Sequence, residues 1–209
     1  MAEKGLFITF EGADGCGKST QRDLLKEFLE SKGFEVVLTR EPGAKGLGEE
    51  IRKLLLHYDG YVSPKCEAFM FLADRAQHID TIIKTSVEEG KIVLCDRHTD
   101  STIAYQGYGR GENIEQLTYL NNIATSGFKP DLTLVYDVDI ETALSRRGKD
   151  RDRMELAGTE FQKKVREGYK KIAELEPDRV KIIDSTDSIE KVFEKTKHEV
   201  EQLLKKRYN

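Results

Sequence analysis

The sequence predicts an α/β protein with a doubly wound, five-stranded parallel sheet and helices on both faces. Short apolar runs of strand length recur at Leu6–Phe10, Glu35–Thr39, Ile92–Cys95, Leu132–Asp137 and Val180–Asp184. Longer segments with helical spacing separate these runs. Apolar strands that alternate with helices are typical of a parallel sheet covered on both sides and joined by right-handed crossovers.

The helical spacing is clearest after the first apolar run. Leu24, Leu25, Phe28 and Leu29 fall on one face of a helix, and Gly33 then indicates where that helix ends. Residues 189–208 are typical of a closing amphipathic helix. Because no repeat, low-complexity segment or linker divides the 209 residues, we expect a single domain over residues 1–209.

Composition excludes several classes of protein. No apolar run approaches the roughly 20 residues of a membrane-spanning helix, and the N-terminal residues lack the pattern of a secretory signal. A formal net charge of −4 disfavours broad nucleic-acid binding. The three cysteines, Cys16, Cys66 and Cys95, form no CxxC pair and are expected to be reduced. We therefore expect a cytoplasmic protein that acts neither on membranes nor on nucleic acids.

A phosphate-binding loop follows the first strand directly. Residues 12–19 read GADGCGKS, which fits GxxxxGK[ST] and leads into the first helix. The motif predicts that ATP is bound by Gly12, Ala13, Asp14, Gly15, Cys16, Gly17, Lys18, Ser19 and Thr20. In such loops the lysine bridges the β and γ phosphates, and the serine hydroxyl binds Mg²⁺. The loop alone does not distinguish a kinase from a GTPase-like switch or an ATPase.

Charged residues at two other strand ends indicate a second anion site. Asp96 and Arg97 end the third apolar run, and Arg40 ends the second. The carboxyl ends of parallel strands meet at the ligand-binding edge of the sheet. We expect Asp96, together with Ser19, to hold magnesium, partly through water, and the two arginines to clamp a phosphate.

A dense basic stretch follows the fourth strand. Residues 145–153 read SRRGKDRDR, and we interpret residues 146–157 as a mobile lid that closes over ATP. Its catalytic candidates are Arg147, Arg151 and Arg153, which the sequence does not separate, alongside Lys18 and Arg97 in the loop and at the strand end. An exposed charged loop remains the alternative, because acidic residues alternate with the basic ones.

Longer blocks resemble one family along nearly the full chain. FEGADGCGKST, TREPG, EAFMFLADR, CDRHTDSTIAYQGYGRG and FQKKVREGY are similar to the corresponding blocks of bacterial thymidylate kinases. The resemblance implies a nucleoside monophosphate kinase fold with a phosphate-binding loop. It also implies transfer of the γ-phosphoryl group of ATP to dTMP in the supply of dTTP for DNA synthesis, Mg²⁺ as cofactor, and a homodimer.

The resemblance also implies roles for individual side chains in binding dTMP. Asp14 accepts a hydrogen bond from the 3′ hydroxyl, Phe71 stacks on thymine, and Tyr105 lies where a 2′ hydroxyl would clash. Arg75 reaches a base carbonyl and Gln106 reads the pyrimidine edge. The remaining residues expected at this site are Arg40, Arg52, Arg97 and Thr102.

Two positions depart from the family pattern. His98 stands where the family more often has tyrosine, so hydrogen bonding near Arg97 is expected to differ. Gly15 stands where one branch of the family has an arginine, so the catalytic cation is expected from the lid. The alternatives are another pyrimidine or adenine monophosphate kinase and, in a different class, a nucleotide-dependent switch.

Overall fold

The structure, a computed structural model, describes residues 4–146, 153–154 and 157–208. Its single sheet is parallel throughout, with strand order β2-β3-β1-β4-β5. The strands are β1 (Leu6–Gly12), β2 (Val36–Arg40), β3 (Ile92–Asp96), β4 (Leu132–Asp137) and β5 (Val180–Asp184). All five predicted strands are confirmed, with ends that differ by at most two residues.

Nine α-helices and two π-helical segments connect these strands within the described residues. The helices are α1 (Lys18–Ser31), α2 (Leu47–His57), α3 (Pro64–His78), α4 (Lys84–Glu88), α5 (Thr99–Thr102), α6 (Ile114–Thr125), α7 (Ile140–Ser145), α8 (Thr159–Leu175) and α9 (Ile189–Tyr208). The π-helical segments are Ile79–Ile83, after α3, and Ile103–Gly109, after α5. π-Helical turns occur frequently at functional sites.

Helices cover both faces of the sheet, as the sequence predicts. Alternate residues of β1 point to opposite faces. Ile8 packs in the core shared with Leu25 of α1 and Val200 of α9, whereas Phe7 packs against Ile79 and its neighbours. Both cores are apolar and fully buried, so the central strands are inaccessible to water.

The two edge strands are less buried than their apolar sequences suggest. Leu38 of β2 is 37% exposed and Ile182 of β5 is 44% exposed. An edge strand has a neighbour on one side only, so part of its surface meets solvent. Within the described residues, no helix is long and apolar enough to cross a membrane, and the three cysteines form no disulfide.

The register of the sheet brings three strand ends together. Phe10 of β1 and Arg40 of β2 both pair with Asp96 of β3, so the loops that follow these strands leave the same edge. The chain passes from β1 to β2 across the position of β3 and later enters β4 on the other side of β1. Ligands of doubly wound sheets bind where the strand order reverses in this way.

Candidate active site

Two cavities adjoin at the carboxyl edge of the sheet. The smaller, called here the strand-end cavity, has a volume of about 300 Å³ and is lined by Arg40 and Arg97 among others. The larger, called the loop cavity, has a volume of about 510 Å³ and is lined by residues 14–21 and the start of α9. Asp14, Ser19 and Asp96 line both. Two ligands bound in these cavities would therefore meet at three shared side chains.

The loop between β1 and α1 has the backbone of an anion-binding site. Gly12, Gly15 and Gly17 have φ angles of 128°, 84° and 94°, a region that side chains rarely adopt. A Cβ on Gly12 would lie 2.5 Å from the carbonyl oxygen of Tyr136. Among the described residues, no side chain caps the N-terminus of α1 at Lys18, which leaves the first backbone N–H groups of the helix to an anion.

Lys18 is folded over this loop. Its Nζ donates to the carbonyl oxygens of Gly12, at 3.3 Å, and Ala13, at 3.2 Å, and lies 3.7 Å from Asp14 Oδ1. The side chain is 6% exposed. The predicted ATP-binding residues 12–20 therefore form one continuous loop and helix start, with the lysine charge held at its centre.

Cys16 has a packing role in this loop. It is 1% exposed within the main apolar core, and burial raises the pKa of its thiol. A thiol with a raised pKa is a poor nucleophile at neutral pH.

Asp96 offers an oxygen atom that no protein donor uses. Its Oδ1 is buried and has no hydrogen-bond partner in the described chain, while Oδ2 lies 4.0 Å from Arg22 Nη1. Ser19 is exposed and lines both cavities with Asp96. A buried carboxylate oxygen without a partner is costly unless a ligand satisfies it.

Arg97 lies at the junction of the two cavities. Its backbone has a φ of 68°, which is uncommon for a residue other than glycine. Nη2 donates to Asp14 Oδ1 at 2.8 Å, Nη1 lies 3.3 Å from Ser101 Oγ, and the guanidinium is 4.9 Å above the ring of Tyr105. These three contacts hold the Arg97 side chain in place.

Glu11 is hydrogen-bonded to residues that surround Arg97. Its Oε2 accepts hydrogen bonds from Ser101 Oγ, at 2.5 Å, and from Tyr169 Oη, at 2.7 Å. Its Oε1 accepts from the backbone N–H of His98 at 2.8 Å. Burial, followed by repulsion from Asp100, raises the pKa of Glu11 from 4.5 to about 7. Sequence reasoning missed this residue, although it immediately precedes the phosphate loop.

Four further predicted residues line the strand-end cavity. Arg40 is exposed there, and Arg52 donates to the carbonyl oxygen of Pro42 at 2.8 Å. Phe71 is half-buried at the wall. Tyr105 is buried, with Phe161 packed edge-on at a centroid distance of 5.9 Å. Together with Arg97, these arginines line the cavity beside two aromatic side chains, a combination that suits an anionic aromatic ligand.

Arg75 is held by hydrogen bonds within the protein. It is 1% exposed and does not line the strand-end cavity, because its guanidinium donates to Glu41, Asn121, the carbonyl oxygen of His98, and Thr102 Oγ1 at 2.8 Å. Every N–H group of the Arg75 guanidinium donates to an acceptor within the protein. Arg75 thus holds Thr102, which does line the cavity, and the direct contact with a base that the resemblance implies stays a prediction.

Gln106 is held by a buried carboxylate. Its Nε2 donates to Glu67 Oε1 at 2.9 Å, and Glu67 also accepts from Arg110, at 3.3 Å, and from Arg153, at 2.6 Å. Arg153 donates in addition to the carbonyl oxygen of Leu55. It lines neither cavity, and the catalytic role predicted for it stays a prediction.

The other lid candidates, Arg147 and Arg151, lie outside the described residues, as do most of residues 146–157. Arg146 is described and lines the loop cavity, where its Nη1 donates to the carbonyl oxygen of Ser185 at 3.1 Å. Sequence reasoning included Arg146 in the lid without assigning it a role. It is the C-cap residue of α7, the short helix that follows β4.

His98 links the strand-end arginine to the turn after β2. Its Nδ1 lies 2.8 Å from Glu41 Oε1, and His78 Nδ1 lies 3.0 Å from the same oxygen. Burial lowers the pKa of His98 against the attraction of Glu41, which favours a neutral ring. Although burial acts to raise it, the charge of Arg75 holds the pKa of Glu41 well below its usual range.

Arg22 is a further residue that sequence reasoning missed. It lies one helical turn beyond Ser19 on α1, lines the strand-end cavity and approaches Asp96. The spacing of three residues from the loop serine places both side chains on one face of the helix, a signal that was present in the sequence.

Comparisons with known proteins agree on one family. The family model described as thymidylate kinase matches residues 10–196. A thymidylate kinase of Desulfovibrio desulfuricans is 44% identical over 97% of this chain and 98% of its own length, and one of Pelotomaculum thermopropionicum is 49% identical over 88% and 87%. The crystal structure of thymidylate kinase from Ehrlichia chaffeensis superposes with a TM-score of 0.78 at 38% identity, covering 95% of this chain and 99% of that one.

Proposed function

Because this chain belongs to the thymidylate kinase family, we propose that it transfers the γ-phosphoryl group of ATP to thymidine monophosphate, giving ADP and thymidine diphosphate. The observation that carries the proposal is the pair of adjoining cavities that share Asp14, Ser19 and Asp96, with Arg97 at their junction. A kinase of this class must hold a donor and an acceptor end to end, and a single nucleotide site would not do so.

The loop cavity takes ATP in this proposal. The backbone N–H groups of the loop and of the first turn of α1 face the β and γ phosphates. Lys18 exchanges the carbonyl oxygens of Gly12 and Ala13 for phosphate oxygens, which are stronger acceptors because they are charged. Arg146 lies at the far side of this cavity, in reach of the rest of the nucleotide.

The cofactor is Mg²⁺. Its ligands in the chain are oxygen atoms, the donors that this hard cation prefers, and the unpartnered Oδ1 of Asp96 next to the Ser19 hydroxyl fits that requirement. When bound, the ion neutralises negative charge on the phosphates. Water completes its shell, since Mg²⁺ keeps several waters in such sites.

The strand-end cavity takes thymidine monophosphate. Arg97 and Arg40 bind its phosphate, with Arg52 at the rim, and Phe71 stacks on the base. Asp14 accepts a hydrogen bond from the sugar. Tyr105 is fixed by Phe161 and by the Arg97 cation above its ring, so it cannot easily yield to a 2′ hydroxyl. We expect weak activity toward ribonucleotides for this reason.

The chemical step relies on position and charge. Phosphoryl transfer passes through a state whose negative charge is spread over the equatorial oxygens, so cations fixed around the gap stabilise it. Lys18 and Arg97 supply two such charges. A third comes from the lid, from Arg147 or Arg151. No general base is required.

The proposal extends to assembly and location: a homodimer in the cytoplasm. Tyr119 and Ile123 are 67% and 56% exposed on α6, an apolar surface of the kind that a second subunit covers. Light scattering of the purified protein tests the dimer, and a monomer at micromolar concentration would contradict it.

A coupled assay of ADP release tests the proposed activity. With ATP and Mg²⁺, thymidine monophosphate should give the highest kcat/KM among dTMP, UMP, CMP and AMP. Another acceptor that exceeds dTMP by about tenfold would contradict the substrate assignment. If the protein hydrolyses nucleotide at a rate that no added monophosphate increases, a nucleotide-dependent switch is favoured instead.

A further inference from the structure

Glu67 is a buried carboxylate surrounded by donors. It lies on α3, is 1% exposed, and its Oε1 accepts from Gln106 Nε2 at 2.9 Å. The guanidiniums of Arg110 and Arg153 share its remaining lone pairs, at 3.3 Å and 2.6 Å. A carboxylate only accepts hydrogen bonds, so Gln106, Arg110 and Arg153 are the donors in these contacts.

This contact fixes the orientation of the Gln106 side-chain amide. If the amide were turned over, its carbonyl oxygen would face a carboxylate oxygen at 2.9 Å, and two acceptors at that distance repel each other. Gln106 is 1% exposed and lines the strand-end cavity. With its Nε2 committed to Glu67, its carbonyl oxygen is the polar end that remains for a ligand.

From this geometry we infer that Glu67 determines base specificity: it orients the Gln106 amide so that an acceptor faces the base. The inference rests on the proposed function, which puts a pyrimidine in this cavity. A base with a hydrogen at N3, thymine or uracil, donates to Gln106 Oε1. Cytosine has a lone pair at N3, so its N3 and the Gln106 oxygen would repel each other.

Glu67 acts through Gln106 and touches no substrate, so it is a positioning residue. A site built to pair with one hydrogen-bonding pattern rejects the opposite pattern strongly, because buried groups are left unpaired. The sequence offers no sign of this link, since Glu67 and Gln106 are 39 positions apart.

The test compares dTMP, dUMP and dCMP as acceptors for the wild type and for Glu67→Gln. A glutamine at position 67 can donate as well as accept, so it permits either orientation of the Gln106 amide. The dTMP/dCMP ratio of kcat/KM should fall by about tenfold or more, whereas the dTMP/dUMP ratio should stay unchanged, because both bases carry N3–H. A smaller fall, or an equal fall in both ratios, overturns the inference.

Two further variants separate orientation from a general loss of structure. Arg153→Ala removes another contact of Glu67 without changing the acceptor that faces Gln106, so it should lower kcat/KM for dTMP and dCMP by equal factors. Glu50→Gln removes an exposed carboxylate on α2 and should change neither ratio. A loss of base discrimination in Arg153→Ala as large as in Glu67→Gln would overturn the inference.

If Glu67→Gln does not fold, the kinetics of the wild-type protein with dTMP and dCMP still test the inference. The fixed orientation requires that dCMP be at least about a hundredfold poorer than dTMP in kcat/KM, and a ratio below that overturns it. Failure of the proposed function is recognised separately, since no monophosphate would then be phosphorylated. Phosphorylation of dTMP with unaltered discrimination in Glu67→Gln overturns this inference and leaves the proposed function standing.

Discussion

Replacing Glu11 with glutamine should change how the stability of the protein depends on pH. Glu11 is buried below the site, where it accepts hydrogen bonds from Ser101, Tyr169 and the backbone of His98. Burial raises the pKa of its carboxyl from 4.5 to about 7. Glutamine has nearly the same shape and no charge, so the substitution isolates the cost of ionising this buried group.

The expected magnitude follows from proton linkage. Below pH 4.5 the carboxyl is protonated in both the folded and the unfolded chain, and its stabilising contribution is complete. As the pH rises toward 7, the unfolded chain loses the proton first, so the free energy of unfolding decreases. The pKa of Glu11 differs by about 2.5 between the folded and the unfolded chain, and a difference of one corresponds to about 1.36 kcal/mol. The free energy of unfolding therefore falls by ~3 kcal/mol in total by about pH 8.

Urea unfolding of the wild type and of Glu11→Gln at several pH values between 5 and 8.5 tests this reasoning. Glutamine changes the hydrogen bonds by a pH-independent amount, about 1 kcal/mol per bond. The variant should nevertheless gain about 2 to 3 kcal/mol relative to the wild type across the range. A difference that stays constant within about 0.5 kcal/mol would refute the raised pKa. Glu50→Gln, at an exposed position, should show no such trend.

Three other predictions concern the site itself. Lys18→Ala should lower kcat by about a thousandfold with the fold intact by circular dichroism, and activity within a few-fold of wild type would refute the assignment of the loop. Phe71→Ala should raise KM for dTMP by roughly 5- to 150-fold, the equivalent of about 1–3 kcal/mol of stacking, and leave KM for ATP unchanged; an equal change for both nucleotides would contradict the stacking role. Iodoacetamide should alkylate the exposed Cys66 well before Cys16, as followed by mass spectrometry, because burial raises the pKa of Cys16; equal rates would contradict its packing role.

The sheet was predictable because local sequence and tertiary structure agree in its centre. The run Leu6–Phe10 has no charge to interrupt it, and both faces of β1 are in fact buried. The edges were less predictable. Val36–Arg40 is almost as apolar, but its position in the order leaves Leu38 exposed, and strand order depends on long-range pairing that a local window does not contain.

The site was predictable where chemistry depends on contiguous residues. The phosphate loop is such a case, because its glycines and Lys18 act together over eight positions. Arg97 was predictable from its strand end, and it does meet Asp14 across 83 positions of sequence. The burial of Arg75 and its hydrogen bond to Thr102 were not predictable, because they depend on elements far apart in the sequence, and its contact with a base stays a prediction.

Basic residues of the lid illustrate what a charge pattern leaves undetermined. The density of arginine in residues 146–153 indicates that this segment contacts anions. It does not indicate whether those anions are phosphates of a ligand or carboxylates of the protein. Arg153 pairs with Glu67, 86 positions away, because α3 carries that carboxylate into the interior beside Gln106, which lines the strand-end cavity. Because the Arg153 guanidinium already donates to Glu67 and to the carbonyl oxygen of Leu55, we propose that the catalytic cation is Arg147 or Arg151. Single substitutions at Arg147, Arg151 and Arg153 should identify the catalytic arginine by the largest fall in kcat.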